Sequence, residues 1–152
     1  MTDTIKIAVR DYSPSDQALV MSTWLRGQRF GGNYARVNIS DEKDPFSIDG
    51  YYAQIPTDIY YREYEKIITE VLSNPEVRIE VATDETDPLW VVGYIVYKPG
   101  TLYWIYVKPE YRKLGIASLL LKNKEIKITK STTKIGRSIT YKKGWIFNPF
   151  KE

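Results

Sequence analysis

From Val107 to Ser118 the chain reads Val-Lys-Pro-Glu-Tyr-Arg-Lys-Leu-Gly-Ile-Ala-Ser, which gathers the residue types that could hold an anion. If a strand ends near Val107 and a helix opens near Gly115, the first helical amides have no partner within the helix. They face outward at the positive end of its dipole. Arg112 and Lys113 add cationic side chains, Gly115 lets the backbone come close, and Ala117 keeps the first turn open. Such a start is a receptor for a phosphate or a diphosphate.

The absences narrow the chemistry further. The 152 residues contain no Cys and no His. That removes disulfides, thiolate nucleophiles, a Ser-His-Asp triad and every Cys- or His-ligated metal site, so no metal is expected. Proton transfer is left to carboxylates, Tyr, Lys, Ser and backbone groups. A chain of this length that is 43% apolar can bury roughly two-thirds of its unfolded surface in one domain, here spanning 1–152. The formal charge of +3 requires neither a nucleic acid nor a membrane. It is unevenly spread. From Lys108 onward twelve basic residues stand against three acidic ones, a net +9, which leaves −6 for the remainder. The Met1-Thr-Asp-Thr-Ile5 start has no basic, then apolar, leader pattern and no run nears the roughly 18 apolar residues of a membrane span, so a cytoplasmic protein is expected. Aromatics make up 14%, mostly 13 Tyr, which suggests an adhesive surface.

The elements that must position these residues follow from pattern. A first strand is predicted over 5–9, with Ile5, Ile7 and Val9 on its apolar side. Ser13-Pro14-Ser15-Asp16 reads as a capping box opening a helix that Gly27 should stop after Arg26. Residues 27–56 carry Gly, Asn and Pro without periodicity and are predicted to be a long loop. Thr57 should cap a second helix, with Ile59, Tyr60, Tyr64, Ile67, Ile68, Val71 and Leu72 on its buried stripe and Pro75 closing it. Three strands over 77–81, 89–97 and 102–107 are linked by turn-forming residues and predict an antiparallel meander. A helix over 115–124, a strand over 125–129, a helix over 132–143 and a strand over 145–147 complete the chain. Meandering strands followed by helix-linked strands predict an α+β or α/β three-layer domain: a mixed sheet with helices on both faces.

On the residues from Trp104 to Leu121 the sequence resembles the GNAT superfamily of acetyl-coenzyme A-dependent N-acyltransferases. The pyrophosphate loop of that family follows the pattern Q/R-x-x-G-x-G/A. Here Arg112-x-x-Gly115-x-Ala117 fills it, preceded by Val107-x-Pro109 and followed by Leu119-Leu120-Leu121. A second likeness lies in Ile139-Thr-Tyr141-Lys-Lys-Gly144-Trp145, where many members end a helix in A-x-x-F/L-Y-E-K-x-G-F. The resemblance implies a GNAT-like, mostly antiparallel mixed sheet and transfer of acetyl from acetyl-CoA to an amine by direct attack in a ternary complex.

It also implies roles. The diphosphate would lie on Arg112, Lys113 and the amides of Leu114, Gly115, Ile116, Ala117 and Ser118. The pantetheine arm would pair with the backbone of Ile105, Tyr106 and Val107, where a strand splays from its neighbour. Tyr141 would protonate the departing thiolate. Many members place a Glu in the strand before the loop as base, but this chain reads Tyr103-Trp-Ile-Tyr106, so a relayed base is expected, with Glu80 or Asp84 on a neighbouring strand. Arg26, Arg29, Tyr51 and Tyr52 would shape the acceptor site. A monomer or homodimer is expected.

Two other function classes fit the same residues. The basic C-terminal third beside an aromatic loop is the footprint of a nucleic-acid contact, and the loop is also similar to that of phage-encoded Mom-like members of the superfamily that modify adenine in DNA. The strand without a carboxylate suits a GNAT-fold interaction protein without turnover.

Overall fold

The computed structural model describes residues 6–30, 55–130 and 142–148. Within them six strands form one sheet in sequential order. They are β1 (Ile7–Asp11), β2 (Arg78–Asp84), β3 (Asp87–Lys98), β4 (Gly100–Val107), β5 (Ile126–Thr129) and β6 (Ile146–Phe147). β1 to β4 pair antiparallel, whereas β4 with β5 and β5 with β6 pair parallel. The helices are α1 (Gln17–Phe30), α2 (Thr57–Ser73) and α3 (Ile116–Leu121). Among the described residues no helix is long and apolar enough to cross a membrane.

Helices cover both faces of the sheet. On one face Val20 and Trp24 of α1 and Tyr60 and Ile68 of α2 pack on Val81, Tyr94, Val96, Trp104 and Tyr106. On the other, Ile116 and Leu120 of α3 join Ala82, Val92, Ile95, Leu102 and Ile126. β3 lies between the two layers, so its residues from Val91 to Val96 are all buried and the strand reads as a continuous apolar run. This is the mixed α+β arrangement expected from the sequence.

The 3₁₀ turn Pro14–Asp16 precedes α1, with Ser13 and Asp16 exchanging hydrogen bonds as a capping box. Asp16 also accepts a bidentate pair from Arg10 of β1, at 2.8 and 2.9 Å, and Arg10 reaches the Pro88 carbonyl of β3. One buried carboxylate thus joins three elements. Tyr hydroxyls are similarly absorbed. Tyr94 lies in the core with its OH 2.8 Å from Thr23 Oγ1 and donating to the Val20 carbonyl, and Tyr60 donates to the Leu25 carbonyl.

Several expectations are corrected. Gly27 does not stop α1, which runs on to Phe30: Gly27 is buried, and packing against α2 outweighs the roughly 1 kcal/mol that glycine costs a helix. β1 begins two residues later than expected and leaves Val9 exposed, because an edge strand is covered on one side only. Ile59 and Ile67 of α2 also face water; the buried stripe is narrower and centred on Tyr60 and Ile68. Tyr94, Tyr103 and Tyr106 join Tyr60 of the expected buried stripe in the core, so these four tyrosines pack the interior rather than the surface. Residues 31–54, most of the expected long loop, and residues 131–141, most of the expected C-terminal helix, lie outside the described residues.

Candidate functional site: a parted strand edge and its loop

β4 outruns its parallel neighbour. β5 pairs with Gly100, Thr101 and Leu102, ends at Thr129, and is followed by one last bond from the Lys130 amide to the Leu102 carbonyl. β4 continues five residues further, to Val107. At the point of parting the β3–β4 register slips from Val96↔Trp104 to Tyr97↔Leu102, so Tyr103 is an extra residue. Tyr103 and Trp104 then both face the α1–α2 layer, as a bulge requires.

Beyond the bulge the ladder fixes which backbone groups are used. The Lys108 amide donates to the Val92 carbonyl at 2.8 Å, which sets the phase of an antiparallel pair. Tyr106 and Trp104 therefore bond to β3, and alternation turns the N–H and C=O groups of Ile105 and Val107 toward the other edge. No strand among the described residues covers that edge beyond Leu102. Of its groups, the Val107 carbonyl accepts from Arg112 Nε at 2.9 Å.

The loop follows at once. Pro109–Tyr111 forms a 3₁₀ turn closed by the Tyr111 amide on the Lys108 carbonyl at 2.9 Å. Lys113 and Gly115 adopt positive φ, +66° and +82°. α3 starts after Gly115 with no side chain capping it. A Cβ built on Gly115 meets nothing within 4 Å, so the residue is required by its conformation and the space beside it is open. Arg112 is half-buried, while Lys113, Leu114 and Ser118 are exposed. Ile116 is core, and Ala117 is half-buried on the first turn.

The remaining expected site residues fall elsewhere. Glu80 is in β2, and β3 separates β2 from β4, so neither Glu80 nor Asp84 is on a strand bordering β4; hairpin connections stack consecutive strands side by side. Glu80 accepts from Tyr97 Oη at 2.7 Å and from Lys124 Nζ at 2.9 Å. Burial pushes its carboxyl up, but the hydrogen bonds from Lys124 and Tyr97 and the lysine's charge outweigh that and hold it below the usual carboxylate range. Tyr97 is pushed up to about 12, first by burial and then by its bond to Glu80. Asp84 closes a turn by accepting from the Thr86 amide and hydroxyl, which lower its pKa.

Arg29 is buried, donates to the Ile55 carbonyl at 3.0 Å and lies 5.4 Å from the Tyr60 ring centroid, so it fastens α1 to the start of α2. Arg26 lines a shallow groove between α1 and α2 with Met21, Leu25, Tyr61 and Glu65. Tyr51, Tyr52 and Tyr141 lie outside the described residues.

Three residues that sequence reasoning passed over shape this edge. Gly93 faces Val107 so closely that a Cβ would sit 2.6 Å from the Tyr106 carbonyl oxygen. A glycine inside an apolar strand is the signal that could have revealed it. Trp104, 2% exposed, stacks on Trp24 with centroids 5.9 Å apart, and its indole N–H finds no acceptor among the described residues. Trp90, at the start of β3, bonds to the loop through Tyr111.

No family model matches the chain, and no curated protein matches it. Solved structures do. Apo-form YjaB from Escherichia coli is 18% identical over 78% of this chain and 63% of its own, with a TM-score of 0.46. A GNAT-family acetyltransferase from Staphylococcus aureus Mu50 is 18% identical over 76% of this chain and 61% of its own, TM-score 0.45. A GCN5-related N-acetyltransferase from Rhodopseudomonas palustris is 16% identical over 95% of this chain and 72% of its own, TM-score 0.46. The chain spans about three-fifths of the length of the first two.

Proposed function

We propose that the chain is an acyltransferase that moves an acetyl group from acetyl-CoA to an amine held in the same complex. The observation that carries this is the parting of β4 from β5. Among the described residues no strand covers the ladder edge at Ile105 and Val107, which runs directly into a loop with left-handed residues at 113 and 115. An extended amide chain can add to such an edge as a further strand would. The loop that follows can take the diphosphate on the amides of residues 114–118, with Lys113 and Arg112 supplying positive charge.

In the transfer the amine nitrogen attacks the thioester carbonyl carbon. The C–N bond forms, the C–S bond breaks, the amine loses a proton and the sulfur gains one. A β4 amide on the open edge can polarise the carbonyl oxygen, and Tyr141 is assigned as the acid that protonates sulfur. β4 carries no carboxylate, and Glu80 is engaged by Lys124 and Tyr97, so neither is assigned as the direct base and the amine's proton is assigned to a water relay. Glu80 is assigned to the ion pair.

The test is thermal unfolding with and without acetyl-CoA, followed by a screen for thiol release over amines, polyamines, peptides and DNA. A ligand at 100 times its dissociation constant stabilises by about 2.7 kcal/mol, a rise in Tm of roughly 5–10 °C for a chain of this size. An unchanged Tm at saturating acetyl-CoA overturns the proposal. Stabilisation without thiol release from any acceptor leaves a coenzyme-binding interaction protein instead.

A further inference from the structure

We infer that Trp90 is a positioning residue that holds the loop of residues 108–115 in its binding shape, a role that rests on the coenzyme reading of that loop. Trp90 is an unusual surface residue. It stands near the start of β3 and is 47% exposed, next to Leu89 at 81%. An indole left half in water adds little to a core, yet both of its recognition features are used. Its Nε1–H donates to Tyr111 Oη at 2.9 Å, and Lys108 Nζ lies over the ring, 4.4 Å from the centroid.

Lys108 and Tyr111 are the two residues whose backbones close the 3₁₀ turn. One ring therefore grips both ends of that turn from a strand held in the middle of the sheet. The turn passes the chain on to Arg112, Lys113 at φ +66° and Gly115 at φ +82°. Arg112 Nε in turn bonds to the Val107 carbonyl at the end of β4. The loop is thus braced from β3 by Trp90 and from β4 by Arg112, and α3 begins directly after it. A binding loop already fixed in shape does not lose conformational freedom when its ligand arrives. Released from Trp90, the turn would have to be ordered by the ligand at the expense of affinity.

The test uses the full chain and coenzyme A as the probe. Trp90→Phe keeps a ring under Lys108 and removes the N–H; Tyr111→Phe removes the hydroxyl. Each is expected to weaken coenzyme A binding by up to about tenfold while leaving kcat at saturating acetyl-CoA unchanged. Because both delete the same bond, the double variant should be no weaker than the weaker single. Amide hydrogen exchange over residues 108–115 of the ligand-free protein should speed up in all three. Wild-type affinity in both single variants, or additive losses in the double, overturns the inference while leaving the acyltransferase reading intact. If the wild type itself binds no coenzyme A, the functional reading falls. The brace is then judged by exchange alone, and unchanged exchange in the variants overturns it.

Discussion

Gly115 is the residue on which the loop turns. At φ +82° an L side chain is strained whatever the space around it, and nothing crowds the position. Gly115→Ala should therefore lower stability by about 1 kcal/mol in a denaturant titration. Gly115→Glu adds a negative charge where the diphosphate would lie, and should abolish coenzyme binding in calorimetry while the protein stays folded. Tyr141 is argued from sequence only. Tyr141→Phe should lower kcat by about 10²-fold or more, the usual worth of a positioned acid, and leave coenzyme affinity unchanged; steady-state kinetics with the best acceptor from the screen would read both. Gly115 was legible because a turn residue before an apolar helix has a fixed conformational meaning. Glu80 was legible as a carboxylate on a strand, but neither its separation from β4 nor its partners were. Tyr97 and Lys124 lie 17 and 44 residues away in sequence, and only the folded sheet brings them to one carboxylate.

At the scale of elements, the β3–β4 pair sets the geometry of the open edge. A Cβ at Gly93 would lie 2.6 Å from the Tyr106 carbonyl oxygen, a backbone atom that cannot move without displacing β4. Gly93→Ala should cost roughly 2 kcal/mol in stability and weaken coenzyme binding as well, since the displaced strand carries Ile105 and Val107. A stability loss with unchanged binding would show that the edge does not depend on this contact.

The Arg10–Asp16 pair ties β1, the start of α1 and β3 together, and it predicts an acid limit. Asp16 is held below the usual carboxylate range, chiefly by its hydrogen bond from Arg10. A carboxyl with a depressed folded-state pKa contributes stability above its unfolded pKa and loses it as pH falls through the folded value. Unfolding free energy should thus fall as pH drops below about 4. In Asp16→Asn that part of the slope should vanish, and stability at pH 7 should be roughly 2–3 kcal/mol lower. A wild-type pH slope in the variant would count against this linkage.

For the whole molecule, the charge imbalance is the property no single element explains. The net +9 from Lys108 onward includes Lys108, Arg112 and Lys113 of the loop and Lys122, Lys124 and Lys127 around the end of α3. If these charges meet only the coenzyme phosphates, single-stranded DNA should bind weakly and lose its binding by about 200 mM salt. A nucleic-acid-modifying protein should retain specific binding there, and a fluorescence anisotropy titration at two salt concentrations separates the two. What the amino-acid order determined by itself was local. Capping residues, turn residues and apolar periodicity placed the described elements to within a few residues and marked the loop, because each depends on neighbours close along the chain. The tertiary structure decided the rest. It carried α1 through Gly27, put Tyr94, Tyr103 and Tyr106 in the core, separated Glu80 from β4 by a strand, and parted β4 from β5. Each of these outcomes depends on packing and pairing between residues distant in sequence, where burial and register outweigh local preference.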